Sequence, residues 1–232
     1  MQIAKSKRLE GIGEYYFSQK LREIEQLNKA GKNIINLGIG SPDLPPHPSV
    51  IQALQEQASL SSTHAYQSYK GVPALRNAIA SWYEKYYQVS LNPETEILPL
   101  LGSKEGIMHI CMTYLNEGDQ VLIPNPGYPT YTSAVKLAGG TPIYFDLTEE
   151  GNWEPNFEAL EASDLSKVKL MWVNYPQMPT GKKPSIELFE KLIAFGKKHQ
   201  ILICHDNPYS FILNDEPLSL LSISGAMDTA IE

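Results

Sequence analysis

Ile201-Leu202-Ile203-Cys204-His205-Asp206-Asn207-Pro208-Tyr209 is the stretch on which the reading of this chain turns. Four apolar residues in succession, Ile201 to Cys204, suit a strand covered on both faces, as in a parallel sheet. Asp206 then falls at or just past the strand's carboxyl end, the edge where open α/β sheets bind ligands. A carboxylate buried there needs a positive partner. No Lys or Arg adjoins it in sequence, so either a distant residue or a ligand must supply the charge.

Working outward, the same kind of strand recurs upstream. From about residue 96, strands are expected over residues 97–101, 120–123, 143–145, 168–173 and 201–204. Helices are expected between them, over 103–115, 130–138, 156–162 and 185–199. This alternation implies an α/β fold: a mainly parallel sheet sandwiched by helices. Before it, residues 14–30 read as an amphipathic helix through Tyr16, Phe17, Leu21, Ile24 and Leu27, and residues 34–37 read as a short strand. Residues 38–46 are a Gly/Pro-rich turn, and 49–59 read as a helix. Residues 73–87 form a further helix that starts at Pro73, with Leu75, Ile79, Trp82 and Tyr86 on one side.

Composition narrows the function classes. The 232 residues are 42% hydrophobic and 19% charged, ordinary for a chain with a sizeable core. A net charge of −7, from 19 basic and 26 acidic residues, argues against a nucleic-acid surface. No apolar run approaches the ~20 residues of a membrane span, and no apolar signal core follows the basic N-terminus, so a cytoplasmic location is expected. Cys111 and Cys204 lie in apolar segments and read as structural thiols of a reducing compartment. No metal site is expected.

Three loops at the expected carboxyl edge carry chemistry. Gly102-Ser103-Lys104 turns a strand into a helix, and the amides of a helix N-terminus with a serine hydroxyl can seat a phosphate. Ser103 acting as an ordinary helix cap is the alternative. Tyr128, in Pro126-Gly127-Tyr128-Pro129, is an aromatic in a stiff loop, able to stack on a flat ligand or to pack on its own core. Asp206 and Tyr209 are three residues apart and share a face if the chain turns helically. Asp206 then suits a cationic ring nitrogen and Tyr209 an adjacent phenolate oxygen. The alternatives are a helix cap at Asp206 and packing at Tyr209. Asn174 opens the proline-rich turn 174–181 and has a polar side chain able to reach a ligand. Lys104 is a solvated side chain or a phosphate neighbour, and His205 a satisfied neighbour.

Taken in order, the motifs resemble the class I and II pyridoxal phosphate-dependent aminotransferases of the aspartate aminotransferase fold. The resemblance is carried by Asn36-Leu37-Gly38-Ile39-Gly40-Ser41-Pro42-Asp43, by Tyr66 with Gly71-Val72-Pro73-Ala74-Leu75-Arg76, and by Gly102-Ser103-Lys104-Glu105-Gly106. It continues through Pro126-Gly127-Tyr128-Pro129-Thr130-Tyr131, Met178-Pro179-Thr180-Gly181 and Asp206-Asn207-Pro208-Tyr209. It implies an N-terminal arm and part of a small domain over residues 1–45, and a large cofactor-binding domain over 46–232. It implies pyridoxal phosphate as cofactor. Asp206 would hold the ring nitrogen protonated, Tyr209 would bond the ring hydroxyl oxygen and Tyr128 would stack on the ring. Ser103 and the 103–104 amides would hold the phosphate. Tyr66 would reach the phosphate of a neighbouring subunit in a homodimer, and Gly40 would lie beside the substrate. The partners implied are an α-amino acid and a 2-oxo acid.

Two departures qualify this. Met178 stands where the family has Asn before Pro-Thr-Gly, and a thioether cannot make the amide's bonds. Asn174 is the nearby residue that would compensate. The family's Ser-x-Ser-Lys segment, whose Lys bonds the cofactor, and the later Arg that grips the substrate carboxylate would both fall beyond Glu232, as would the rest of the small domain. The resemblance therefore implies a C-terminally truncated chain, inactive by itself, from a transaminating protein. A short non-catalytic homologue serving as a binding module, and another enzyme of the same scaffold such as a C–S lyase, are the alternatives.

Overall fold

The computed structural model describes residues 3–40 and 42–232; Met1, Gln2 and Ser41, the last within the quoted glycine-rich turn, lie outside the described residues. The chain divides into two compact units. One comprises residues 1–10 and 70–232, the other 11–69.

The smaller unit holds helix α1 (Tyr16–Lys29), helix α2 (Pro48–Ala58) and a 3-10 turn at Ser61–His64, and buries none of its described residues. Helix α2 starts at His47, whose ring accepts from the Ser49 amide, with Pro48 following in the first turn. The expected strand at 34–37 does not form. Asn28 holds Ile34 from both sides, accepting its N–H at 2.5 Å and donating to its carbonyl at 3.3 Å, while Ile35 and Leu37 are 83% and 91% exposed. A strand needs a neighbour to take its ladder bonds, and none adjoins this segment within its unit.

The larger unit is built on a five-stranded parallel sheet: β1 (Gln120–Asn125), β2 (Thr141–Asp146), β3 (Val168–Val173), β4 (Leu202–His205) and β5 (Ala230–Ile231). The spatial order is β2-β1-β3-β4-β5. Val173 lies opposite His205 and Ile203 opposite Ala230, which aligns the carboxyl ends of the central strands. The sequence expectation of an α/β fold is met, and β5 is an element the sequence reading left out.

Helices cover both faces, which is why the strands are apolar without alternation. On one side Val121, Ile123, Leu170, Trp172 and Cys204 pack with α4 (Ser103–Tyr114) and α5 (Pro129–Leu137). On the other, Leu122, Met171, Val173 and Ile203 pack with α6 (Phe157–Glu161) and α7 (Ile186–His199). Helix α7 begins at Ser185, whose hydroxyl accepts the Leu188 amide at 3.1 Å, and ends at Gln200 in the left-handed region. Its buried Leu188, Phe189, Leu192, Ile193 and Phe195 contribute about 1.5–3 kcal/mol apiece. Gly196 lets the helix approach the sheet: a Cβ there would meet the Ile201 carbonyl oxygen at 2.8 Å.

Two further expectations are corrected. Residues 97–101 form no strand and join no sheet among the described residues, and Leu98 and Leu101 are 61% and 96% exposed. Helix α3 (Pro73–Tyr87) forms with the expected bounds, yet Leu75 and Trp82 are nearly half exposed and the residues it buries are Arg76 and Tyr87. Arg76 is used as a clamp: its guanidinium donates to the Lys70, Gly71 and Pro93 carbonyls and pairs with Glu94 at 2.7 Å. Trp82 and Tyr86 instead form an aromatic group with Phe211, at ring distances of 5.2 and 5.3 Å.

Candidate functional site

The carboxyl ends of β1, β3 and β4, together with the start of α4, bring most of the sequence candidates together. Ser103 opens α4 and is exposed, and the helix is capped by Gly102 rather than by Ser103. Gly102 takes φ +102°, a conformation open to glycine, and makes no side-chain cap. The capping alternative for Ser103 is thereby set aside, and its hydroxyl stands in the first turn, where no side chain caps the helix. Glu105, the acid of that turn, is directed backwards and accepts the Leu101 amide at 2.6 Å.

Lys104 lies over the Tyr128 ring, 5.7 Å from its centroid. Tyr128 ends the loop after β1 and meets Tyr131 edge-on at 5.7 Å. Tyr131 is fully buried, stacks flat on Trp172 of β3 at 5.1 Å, and donates its phenol to Asp206 Oδ2 at 2.9 Å. Burial, followed by the charge of Asp206 and the bond to it, pushes the Tyr131 phenol far up, so it remains a donor. Its position three residues after Tyr128 was the signal available in sequence, because i and i+3 share a helix face.

Asp206 follows directly on β4. Its backbone amide donates to the Val173 carbonyl at 2.9 Å and its carbonyl accepts Asn174 Nδ2 at 2.6 Å. No helix starts there, so it is not a cap. Burial raises its carboxyl above the usual range, outweighing the Tyr131 bond and the charge of His205, which act the other way. No Lys or Arg is ion-paired with it among the described residues. A cavity of about 290 Å³ opens beside it, lined among others by Ser103, Ile107, Trp172, Asp206 and Asn207.

Asn174 is nearly buried and its carboxamide is engaged at both ends, donating to the Asp206 carbonyl and accepting the Met178 amide at 2.8 Å. It braces the 174–181 turn against β4. Tyr209, 36% exposed, donates its phenol to Met178 Sδ at 3.4 Å. The residue that departs from the family pattern thus touches the phenol expected to bond the ring oxygen. Gly40 and Tyr66 belong to the smaller unit, where both are exposed, Tyr66 at 92%. Both cysteines are free and buried, and burial pushes the Cys111 thiol up to about 11.

A serine at an uncapped helix start, an aromatic in the next loop and a carboxylate at the end of β4 follow one another in this order on a parallel sheet, and a sequence profile matches the same chain. The profile of the "Aminotransferase class I and II" family matches residues 32–230. The chain belongs to that family. LL-diaminopimelate aminotransferase of Dehalococcoides mccartyi is 42% identical over 229 residues, 98% of this chain and 59% of that protein. The Aquifex aeolicus protein of the same name is 38% identical over 229 residues, 98% and 59%. Among solved structures, apo-BacF from Bacillus subtilis superposes with a TM-score of 0.91 at 36% identity, covering 99% of this chain and 59% of that one. The chain therefore spans a little under three fifths of the length of the relatives it matches. The relationship confirms the α/β aminotransferase architecture, and the cofactor of this family is pyridoxal phosphate.

Two residues with prominent contacts carry no role in the sequence reading. His205 and Glu232 form a buried pair at 2.7 Å. A lone histidine after a strand and an acid after β5 give no sign in sequence that they meet.

Proposed function

We propose that this chain forms the pyridoxal phosphate-binding part of an enzyme that moves an amino group between an α-amino acid and a 2-oxo acid. The observation that carries the reading is Asp206: a carboxylate at the sheet's carboxyl edge, raised by burial, hydrogen-bonded to a phenol and, among the described residues, without an ion-paired Lys or Arg. That environment fits a cationic ring N–H. The first turn of α4, uncapped by any side chain and bearing the Ser103 hydroxyl, fits a phosphate.

When bound, pyridoxal phosphate supplies an aldehyde that takes up the amino group and a ring that withdraws electrons from the substrate's α-carbon. The chain's own residues bind and orient it. Asp206, fixed by Tyr131, Val173 and Asn174, holds the proton on the ring nitrogen. Ser103 and the following amides hold the phosphate, with Lys104 as its cationic neighbour. Tyr128 supplies the ring face, and Tyr209 the phenol for the ring oxygen once released from Met178. Gly40 is assigned to the substrate and Tyr66 to a neighbouring subunit's phosphate in a homodimer. The smaller unit, none of whose described residues is buried, supports that assignment, since such a unit gains by being covered.

The relatives named for LL-diaminopimelate make this diamino dicarboxylic acid the first substrate to test. The test has two steps. Pyridoxal phosphate is titrated into the protein and followed by absorbance, which should saturate near one equivalent per chain. Amino acids are then added to the loaded full-length protein, and conversion to the pyridoxamine form is recorded. Saturable binding that vanishes in Asp206→Asn supports the site, whereas binding indifferent to Asp206 removes it. Loaded protein that leaves the cofactor unaminated with every amino acid, while splitting a thioether substrate, would favour a C–S lyase.

A further inference from the structure

We propose that His205, held by Glu232, is a positioning residue that sets Asp206 and the 174–181 turn in register to receive the cofactor ring. The inference rests on the cofactor reading above. Along β4 the side chains alternate, so Cys204 faces α4 and α5 while His205 faces α7, where its ring meets Phe189 edge-on at 5.1 Å. Asp206 then turns back to the α5 side and meets Tyr131. The two neighbours therefore face opposite sides of the sheet, and His205 acts on the site through the backbone.

His205 is fully enclosed, and a buried imidazole needs partners for both nitrogens. Nδ1 lies 2.7 Å from Glu232 Oε2. Nε2 lies 2.9 Å from the Tyr175 carbonyl oxygen and 3.2 Å from the Tyr175 amide nitrogen. Glu232 is in turn fixed by three further donors: the Tyr83 phenol at 3.1 Å, the Ser219 hydroxyl at 2.7 Å and the Leu220 amide at 2.7 Å. Burial pushes the Glu232 carboxyl up, but the His205 bond and charge, Ser219 and the Leu220 amide outweigh it and the net direction is down. The carboxylate is a firm anchor joining α3, β5 and the 219–220 turn.

The anchor therefore reaches both parts of the site. Through its own peptide, His205 fixes the backbone that leads into Asp206. Through Tyr175, it fixes the residue between Asn174, which grips the Asp206 carbonyl, and the turn that carries Met178. Bonds of this kind hold a ligand-binding carboxylate within the small tolerance that a charged ring contact demands.

The test compares His205→Phe, which keeps a ring against Phe189 and removes both nitrogens, with Phe195→Leu, a buried α7 control outside the network. Native-state hydrogen exchange on the cofactor-free chain is read first. His205→Phe should speed exchange of the Tyr175 and Met178 amides at least tenfold beyond its global effect, and Phe195→Leu should not. Pyridoxal phosphate titration is read second. His205→Phe should weaken binding at least tenfold and shift the bound cofactor's visible band, because the band reports ring protonation. Phe195→Leu should leave both within twofold. Unchanged Tyr175 and Met178 exchange in His205→Phe overturns the inference whatever the cofactor does. Selective exchange with no cofactor binding even in the parent chain leaves the positioning network standing and removes the cofactor reading.

Discussion

Asp206→Asn should change the cofactor-free and cofactor-bound proteins in opposite directions. The substitution keeps shape, and it keeps the two backbone bonds, to Val173 and from Asn174, that fix the residue. The amide oxygen still accepts from Tyr131. What is lost is the charge. Because burial raises the Asp206 carboxyl above its unfolded value of 3.8, the folded chain holds a proton that the unfolded chain releases. Below that value both states are protonated and the group contributes nothing. As pH rises through the folded value, the ionised carboxyl costs the fold stability, and the cost is complete once the pH lies above that folded value. Relieving a half-compensated buried charge is worth on the order of 1 kcal/mol, held to the low end by partial exposure. That is a rise of ~2–4 °C in Tm for a chain of this size. With cofactor the sign reverses, since removing one member of a buried charge pair costs about 2–5 kcal/mol, or ~30-fold or more in Kd. Thermal unfolding by circular dichroism, with and without pyridoxal phosphate and at several pH values, reads both effects. The gain in cofactor-free stability should appear above that folded value and vanish towards pH 4. An Asp206→Asn chain that melts lower without cofactor and binds it as tightly as the parent would show that the carboxylate is structural, and the reasoning would fail.

Other substitutions probe separate parts of the argument. Gly196→Ala gains up to ~1 kcal/mol of helix propensity but drives its Cβ against the Ile201 carbonyl and Ile203. Overpacking of this kind costs about 1–3 kcal/mol, so chemical denaturation should show a net loss. Glu232→Gln should flatten the acid limb of stability: the depressed carboxyl contributes above its unfolded value of 4.5, and that contribution is lost as pH falls through the lower folded value. Urea midpoints that fall equally with acid in both proteins would contradict this. Met178→Asn frees the Tyr209 phenol from sulfur and adds an amide. One new hydrogen bond of ~0.5–1.5 kcal/mol predicts two- to tenfold tighter pyridoxal phosphate binding, measured by absorbance titration.

Which parts of the molecule were legible in sequence follows from where each residue finds its partners. Strands β1, β3 and β4 are apolar in succession because both of their faces are covered, and the helices between them are amphipathic, so local pattern suffices. The segments at 34–37 and 97–101 are equally apolar, yet a strand is defined by its neighbour, and apolar residues alone do not show whether one is present. The site divides the same way. Ser103, Tyr128 and Asp206 stand at turns, where glycine and proline mark the backbone, so each offers itself as a candidate beside a plainer alternative, and their order along the chain is what joins them. Asn174 was recognisable as polar but not as a brace, because its use depends on the Asp206 carbonyl, 32 positions away. His205 ends β4 and Glu232 follows β5, 27 positions apart, and neither stands in a turn that signals function. Their meaning comes from the parallel pairing of β4 with β5, which brings the strand ends together. What a binding edge displays is thus written locally, while what holds that display in place is written in pairings that only the folded sheet creates.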